Sequence, residues 1–490
     1  MSTGATAVAA VDLGATSGRV MLGVVGDGRI ELQQAHRFEN RLVTREGHLS
    51  WDIEALWAEI RHGLTRAHAG AVEQGLEGLE SIGIDSWAVD YGLVGPDRPD
   101  GNTGERHGEV IAYRDDRTDG IAERVAQAFP RERQYARTGI AQQPFNTLYQ
   151  LVADDRLDAL PEGASLLMVP DLVAFLLTGR RRTEITNAST TGMLSVSEDD
   201  WDDELLAAAG VDRSLLAPLI APGERVGTVH AGLADELGIG EVPVIAVGSH
   251  DTASAVLAVP ADGTGTVAYI SSGTWSLVGL ELPHAVATEE AREAGFTNER
   301  GVDGTVRFLK NVAGMWLISE SIRQWEEDGE SVDLGDLLRA AATAPADRFR
   351  IDPASPEFLA PGRMADRILH SARPLGDVEH PRSRAELVRC ILESLAETYR
   401  DELQQACRLA GMPLPQRLHV VGGGSRNALL NQLTADAVGI DVVAGPMEAT
   451  ALGNVALQAR TLGALADGSG ALRDAVRTSV DLELSSPAPD

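Results

Sequence analysis

Apolar runs of four or five residues recur along this chain, and four of them stop at turns built from Gly, Ser, Thr or Asp. They read VAAVDLGATSGR (8–19), VIAVGSHDTASA (244–255), VAYISSGTWS (267–276) and LHVVGGGSRN (418–427). A short apolar run bounded by turn residues is the pattern of a strand buried on both faces. The small residues that follow let backbone N–H groups come close to an anion. A phosphate cradle made from one loop needs one such turn. A site assembled between two domains needs several, far apart in sequence, and this chain has that second pattern.

Between these runs strand and helix signals alternate. Residues 8–12 and 19–25 predict a hairpin across the Gly-rich turn, 56–69 a helix, and 81–84 a short strand ending at Asp85. Helical spacing returns at 123–129, 145–153 and 167–177, the last stopped by Thr178-Gly179, and the Thr/Asn/Ser-rich stretch 180–191 predicts a loop. Residues 221–243 contain Pro222-Gly223, Gly227, Gly238, Gly240 and Pro243, the best boundary signal in the chain. The pattern then restarts, with strands at 244–247, 267–270 and 276–282 and a helix at 252–257. Helices are expected at 309–325, 385–410 and 428–438, and a strand at 418–421. The expected organisation is an N-terminal domain over 1–242, a C-terminal domain over 243–460, and a helix with a frayed tail over 461–490. The repeated strand–turn–strand unit makes the fold class α/β, with two duplicated domains facing one another.

Composition changes this picture in three places. At 490 residues the chain exceeds what one core usually supports, which agrees with two domains. No apolar run approaches the roughly 18–20 residues of a membrane span, and the start lacks the basic region of a secretory signal, so cytoplasmic residence is expected. The net charge of −31 argues against a nucleic-acid partner. A nucleotide would have to be met by oriented amides, helix N-termini, Arg side chains and a divalent cation. Lys310 is the only lysine, no Gly precedes a Lys, and there is no G-x-G-x-x-G, so the P-loop and dinucleotide folds are disfavoured. Cys390 and Cys407 are read as reduced structural thiols, since two isolated cysteines build neither a zinc knuckle nor a disulfide scaffold.

Several positions carry candidate chemistry, each beside a plainer reading. Asp12 ends the first strand, with Thr16, Ser17 and Arg19 following as donors for phosphate oxygens. Its carboxylate can hold Mg²⁺ through water, or serve as an ordinary turn residue. Asp251 stands after a buried strand and before a helix. It can cap that helix or, with His250 beside it, meet a ligand at a strand's carboxyl end. Gly422, Gly423 and Gly424 permit close approach by a ligand or a tight strand-to-helix turn. The hydroxyl-rich turn 271–276 alone is a weak signal. Asp85, Trp87 and Asp90 surround a strand in GIDSWAVDY (83–91), and Lys310-Asn311 is expected to open a helix in FLKNVAGMWLI (308–318).

In order, DLGATSGR, GIDSWAVDYGLV, YRDDRTDG, TGIAQQPFNTLYQL, TNASTTGMLSV, SHDTASAV, SSGTWSL, LKNVAGMWL, VVGGGSRNALLNQLTADA and GPMEATALGN resemble the FGGY carbohydrate kinases. The resemblance runs from about Val8 to about Gln458. It implies two ribonuclease-H-like domains of the actin and hexokinase type, with ATP and sugar in the cleft between them. It also implies the roles of individual residues. Asp251 is the catalytic base; Ala88, His250, Asp251, Thr252 and Asn311 meet the sugar; Ala15, Thr16, Ser17, Gly18, Arg19, Thr274, Ser319 and Gly423 meet ATP; and Asp12 holds Mg²⁺ through water. The motifs resemble most the branch that phosphorylates the 1-hydroxyl of L-rhamnulose in L-rhamnose catabolism. Two positions depart from that branch: Ala88 stands where Gly is usual, and Ser319 where Gln is usual. The methyl of Ala88 narrows a sugar pocket, and Ser319 reaches less far than Gln. Another ketose (L-fuculose, a pentulose or a short linear ketose) therefore stays open as substrate. An actin- or Hsp70-like ATPase without sugar turnover is the alternative of a different class. The oligomeric state is left as monomer or homodimer.

Overall fold

The computed structural model describes residues 4–97, 103–262, 266–377 and 379–489. The chain forms two compact units: Met1–Thr264 with Leu282–Arg307 and Ala449–Ser479, and Gly265–Glu281 with Phe308–Glu448 and Val480–Asp490.

The first unit is built on β1 (Thr6–Leu13), β2 (Ser17–Gly26), β3 (Arg29–Glu39), β4 (Ser81–Ser86), β5 (Arg225–Thr228) and β6 (Pro243–Ile245), in the order β5-β6-β4-β1-β2-β3. β1 and β2 form the expected antiparallel hairpin, while β4 runs parallel to both β1 and β6. Every residue of β1 is buried, as a strand covered on both faces must be. Helix α1 (Ile53–Glu73) covers one face, where Gly63 leaves room for Val20. Three residues along β2, Gly23 makes the same room for Val455 of a helix that comes from the far end of the chain.

The second unit repeats this plan. β7 (Val267–Ser272), β8 (Ser276–Leu282), β9 (Val306–Val312), β10 (Arg417–Val421), β11 (Asp441–Ala444) and β12 (Glu483–Ser485) lie in the order β9-β8-β7-β10-β11-β12. Again an antiparallel hairpin, β7-β8, has a parallel neighbour, β10.

Three expectations are corrected. Residues 309–325 were expected to be one helix, but Val306–Val312 is strand β9 and only Trp316–Glu327 is helical (labelled α4 below). Backbone pairing decides it: at Gly279 on β8 an added Cβ would come within 2.5 Å of the Phe308 carbonyl and 2.9 Å of the Leu309 Cα. Residues 180–191 are not a plain loop, since Thr183–Glu184 is extended and Ile185–Ala188 helical. The Gly/Pro-rich stretch 221–243 is not a boundary either. It carries β5 and the helix Ala231–Leu237, and β6 beyond it pairs with β4 of the same sheet. The first unit therefore continues past 242, and the expected tail supplies it with the helix Ser469–Ser479, while β12 joins the second unit.

Four further helices matter for the site: α2 (Val169–Thr178), α3 (Asp251–Leu257), α5 (Ala428–Val438) and α6 (Ala449–Thr461). In the first unit α6 lies so close to α3 that a Cβ at Gly453 would overlap the Ser254 carbonyl. It also sends two side chains, one turn apart, into the sheet. Asn454 Nδ2 donates to Asp85 Oδ2 at 2.6 Å, and Gln458 Nε2 donates to Asn454 Oδ1 at 2.6 Å and to the Ala9 carbonyl at 3.1 Å. Ser81 Oγ closes the column by donating to Gln458 Oε1 at 2.7 Å.

The turn after β4 stores backbone strain. Val89 has φ 68°, a left-handed conformation that is costly for a β-branched residue. It is held there because its carbonyl accepts from Thr147 Oγ1 at 2.7 Å and Gln150 Nε2 at 3.1 Å. Next to it, Asp90 Oδ2 accepts from the indoles of Trp51 at 2.6 Å and Trp87 at 3.0 Å. Burial nevertheless pushes the Asp90 carboxyl up to about 6, against the pull of the two indole donors, the Tyr113 backbone N–H and Gln150.

Gly453→Ala is expected to cost about 1–3 kcal/mol by overpacking, read as a lower unfolding midpoint. An unchanged midpoint would contradict the close contact. Asp90 binds its proton more tightly folded than unfolded, so the stability it contributes below its unfolded value, near 4, is lost as pH rises through about 6. The unfolding midpoint of Asp90→Asn, measured against wild type, should therefore move in the variant's favour across that window.

Candidate active site

Strand register gathers the acidic residues of the first unit. Asp12 is the register partner of Asp85 across β1 and β4, and Ser86 forms a parallel bridge with His250. The main chain ties the strand exits together, with Trp87 N–H donating to the Leu13 carbonyl at 3.1 Å and Ser86 N–H to the Ser249 carbonyl at 2.9 Å. Asp12, Asp85 and the His250-Asp251 pair thus stand at neighbouring carboxyl ends, where α/β sheets bind ligands. Asp12 is buried, and its Oδ2 accepts from Arg19 Nη2 at 2.5 Å. Asp85 is fully buried, and one of its oxygens, Oδ1, has no hydrogen-bond partner. Burial first, and then the negative charge of Asp12, push the Asp85 carboxyl well above the usual range, against the hydrogen bond from Asn454.

Asp251 is not the cap of its helix. His250 occupies the cap position and makes no side-chain capping bond, and Asp251 is the first helical residue. Its Oδ1 accepts from Thr252 Oγ1 at 3.0 Å and lies 3.4 Å from His250 Nε2. The side chain is 33% exposed, in contrast to the buried Asp12 and Asp85.

The segment 180–191, whose role the sequence did not reveal, seats this loop. Fully buried Glu184 accepts from Ser249 N–H at 3.0 Å, from Ser249 Oγ at 2.7 Å and from Thr186 N–H at 2.9 Å. Thr186 Oγ1 in turn accepts from His250 N–H at 3.3 Å. Burial raises the Glu184 carboxyl, and burial together with Glu184 raises that of Asp171 on α2 well above its ordinary value. The only sequence signal for this seat was the run of Thr, Asn and Ser itself.

The turn Gly14–Ala15–Thr16 joins β1 to β2 and is pinned by Asn40, whose Nδ2 donates to the Gly14 carbonyl at 2.9 Å and whose N–H donates to the Thr16 carbonyl at 3.1 Å. Thr16 is exposed, while Ala15, Ser17 and Arg19 are half-buried. Gly18 is buried, and a Cβ there would strike the Phe38 ring, so packing alone already requires that glycine. Ala88 is half-buried in the strained turn beside Val89.

In the second unit Thr274 and Gly423 follow the ends of the paired parallel strands β7 and β10. Gly422 and Gly424 each press on Ser272, where a Cβ at 422 would lie 2.8 Å from its carbonyl and one at 424 would overlap its Oγ. Gly423 between them is exposed, with nothing within 4 Å of an added Cβ. The N-terminus of α4 is attached to the same turn, since Trp316 N–H donates to the Thr274 carbonyl at 2.9 Å. Ser319, one turn into α4, is exposed, as is Thr274. Asn311 is exposed on β9 rather than opening a helix, and its neighbour Lys310 pairs with Glu402 at 2.7 Å. Among the described residues no group of three or more His, Cys, Asp or Glu is arranged to hold a metal directly.

Known proteins share the sequence and the fold. The FGGY carbohydrate kinase N-terminal domain matches residues 7–258, and the C-terminal domain of the same family matches residues 268–462. The rhamnulokinase of Bacteroides thetaiotaomicron is 41% identical over 481 residues, 98% of this chain and 95% of that protein. Among solved structures, a xylulose kinase from Lactobacillus acidophilus superposes with TM-score 0.78 at 18% identity, covering 99% of this chain and 94% of that one. The glycerol kinase of Plasmodium falciparum, solved with ADP, gives TM-score 0.79 at 14% identity with coverage of 99% and 94%. These structures share the fold, and the family matches span nearly the whole sequence. The chain belongs to the FGGY family of carbohydrate kinases, enzymes that transfer a phosphoryl group to a sugar.

Proposed function

We propose that the protein transfers the γ-phosphoryl group of ATP to the 1-hydroxyl of L-rhamnulose, with Asp251 accepting the hydroxyl proton. The observation that carries this reading is the Asp251 carboxylate. Both of its side-chain contacts fall on Oδ1, Oδ2 accepts from none of the described residues, and the group stands at the carboxyl ends of the first unit's strands. A base must keep one oxygen for the proton it removes. The choice of sugar is supported by the full-length similarity to the Bacteroides rhamnulokinase. The reaction would belong to L-rhamnose catabolism.

The remaining roles follow the same reading. Ala88, His250, Thr252 and Asn311 contact the ketose, with the Ala88 methyl held in place by the strained turn. Ala15, Thr16, Ser17, Gly18, Arg19, Thr274, Ser319 and Gly423 contact ATP, chiefly through turn amides and hydroxyls. Exposure of Thr16, Thr274, Ser319 and Gly423 supports that assignment. Asp12 would hold Mg²⁺ through water in competition with its present partner Arg19, and the Asp85 oxygen without a hydrogen-bond partner stands in the register position beside it. The ion would offset charge on the phosphates. No described helix is long and apolar enough to cross a membrane. We place the enzyme in the cytoplasm as a monomer or homodimer that does not bind nucleic acid.

Asp251→Asn is expected to lower kcat by roughly 10²–10⁴-fold, while ATP affinity measured by calorimetry changes less than about twofold. Near-normal turnover in that variant would overturn the assignment. Phosphorus NMR of the wild-type product should show a phosphate coupled to the two C1 protons of the ketose.

A further inference from the structure

Behind His250 lies a buried ion pair that the reaction described so far leaves without a role. Arg307 is fully buried, and its Nε and Nη2 donate to the Arg300 carbonyl at 3.2 and 3.1 Å. The other Nη2 hydrogen is directed at His250 Nδ1, 3.1 Å away. Arg307 Nη1 lies 3.0 Å from Glu299 Oε2. Burial pushes the Glu299 carboxyl up, but its surroundings, the Arg307 guanidinium foremost, hold the group below its ordinary range. Glu299 Oε2 also comes within 3.2 Å of His250 Nδ1, but it makes no aligned hydrogen bond.

The aligned partner of Nδ1 is therefore a guanidinium, which can only donate. A ring nitrogen that accepts carries no proton, so the neutral imidazole has its proton on Nε2. Nε2 is the nitrogen 3.4 Å from Asp251 Oδ1. The opposite tautomer would set a hydrogen against the guanidinium and a lone pair against the Asp251 carboxylate, with only the misaligned Glu299 oxygen in reach of the Nδ1 proton.

We propose that Arg307 and Glu299 are positioning residues that act through His250, fixing it as an Nε2–H donor to Asp251 Oδ1. The role rests on Asp251 being the base. With Thr252 Oγ1 donating to the same oxygen at 3.0 Å, Oδ1 is held from two sides and Oδ2 is kept for the acceptor hydroxyl. Glu299 balances the buried guanidinium, so that Arg307 serves the ring as a donor rather than as an uncompensated charge. All five side chains belong to the first unit.

Proton–nitrogen correlation NMR of the ligand-free wild-type protein reads the tautomer, with the His250 ring identified by its loss in His250→Gln. A ring with its proton on Nε2 and none on Nδ1 is expected. An Nδ1–H ring or an imidazolium overturns the proposal. Arg307→Lys keeps the charge but loses the planar, aligned donor. It should lower kcat about tenfold or more while the KM for ATP changes less than about twofold, and an unchanged kcat also overturns it. The tautomer is read without turnover, so its failure is separable from a failure of Asp251→Asn, which would remove the base but not the tautomer.

Discussion

The first unit's chemistry depends on the register of parallel strand β4 between β1 and β6. Side chains alternate along a strand, so a one-residue slip would turn Asp12 and Asp85 toward different faces and move His250 away from Ser86. The hydrogen-bonded column from Ser81 and Ala9 through Gln458 and Asn454 to Asp85 opposes such a slip, because it reads both strands at once. Gly83 leaves the space these two side chains fill. Helix α6 arrives from residues more than 350 positions later in the chain, and the same helix bears on α3, which opens with Asp251. One element thus fixes both the strand register and the seat of the proposed base.

In a chain with net charge −31, four fully buried carboxyls of the first unit have their proton affinity raised, burial being the largest cause: Asp85, Asp90, Asp171 and Glu184. Burying an unpaired charge is costly, so such groups are expected to be neutralised or well supplied with donors. Both solutions occur. Glu184 takes several hydroxyl and amide donors and thereby anchors the loop before Asp251. Asp85 has one donor and one bare oxygen beside Asp12. Asp251 differs from all four in being partly exposed, as suits the role of base proposed for it.

Much of this was legible in the sequence, and the misses have physical causes. The hairpin β1-β2, strand β4, helix α1 and the strand-to-helix turn at Gly422–Gly424 follow from local apolar periodicity and small turn residues. Strand β9 did not, because FLKNVAGMWLI has helical spacing when read alone. Its conformation is set by a distant partner, β8. The stretch 221–243 carries strong turn signals, but turns punctuate connections within a sheet as well as boundaries between domains. Glycines misled in a subtler way: Gly18, Gly422 and Gly424 are required by Phe38 and Ser272, whereas Gly423 alone is open. Glu184, Glu299 and Arg307 look like surface charges in sequence, and only burial gives them their work.

The carboxylate edge of the first unit is proposed to serve a sugar acceptor, L-rhamnulose. A coupled assay of ADP release across a panel of ketoses tests it most directly. Release is expected to depend on sugar, with kcat/KM highest for L-rhamnulose, above L-fuculose and the pentuloses. ADP release that ignores added sugar, or that is greatest with another ketose, would contradict it.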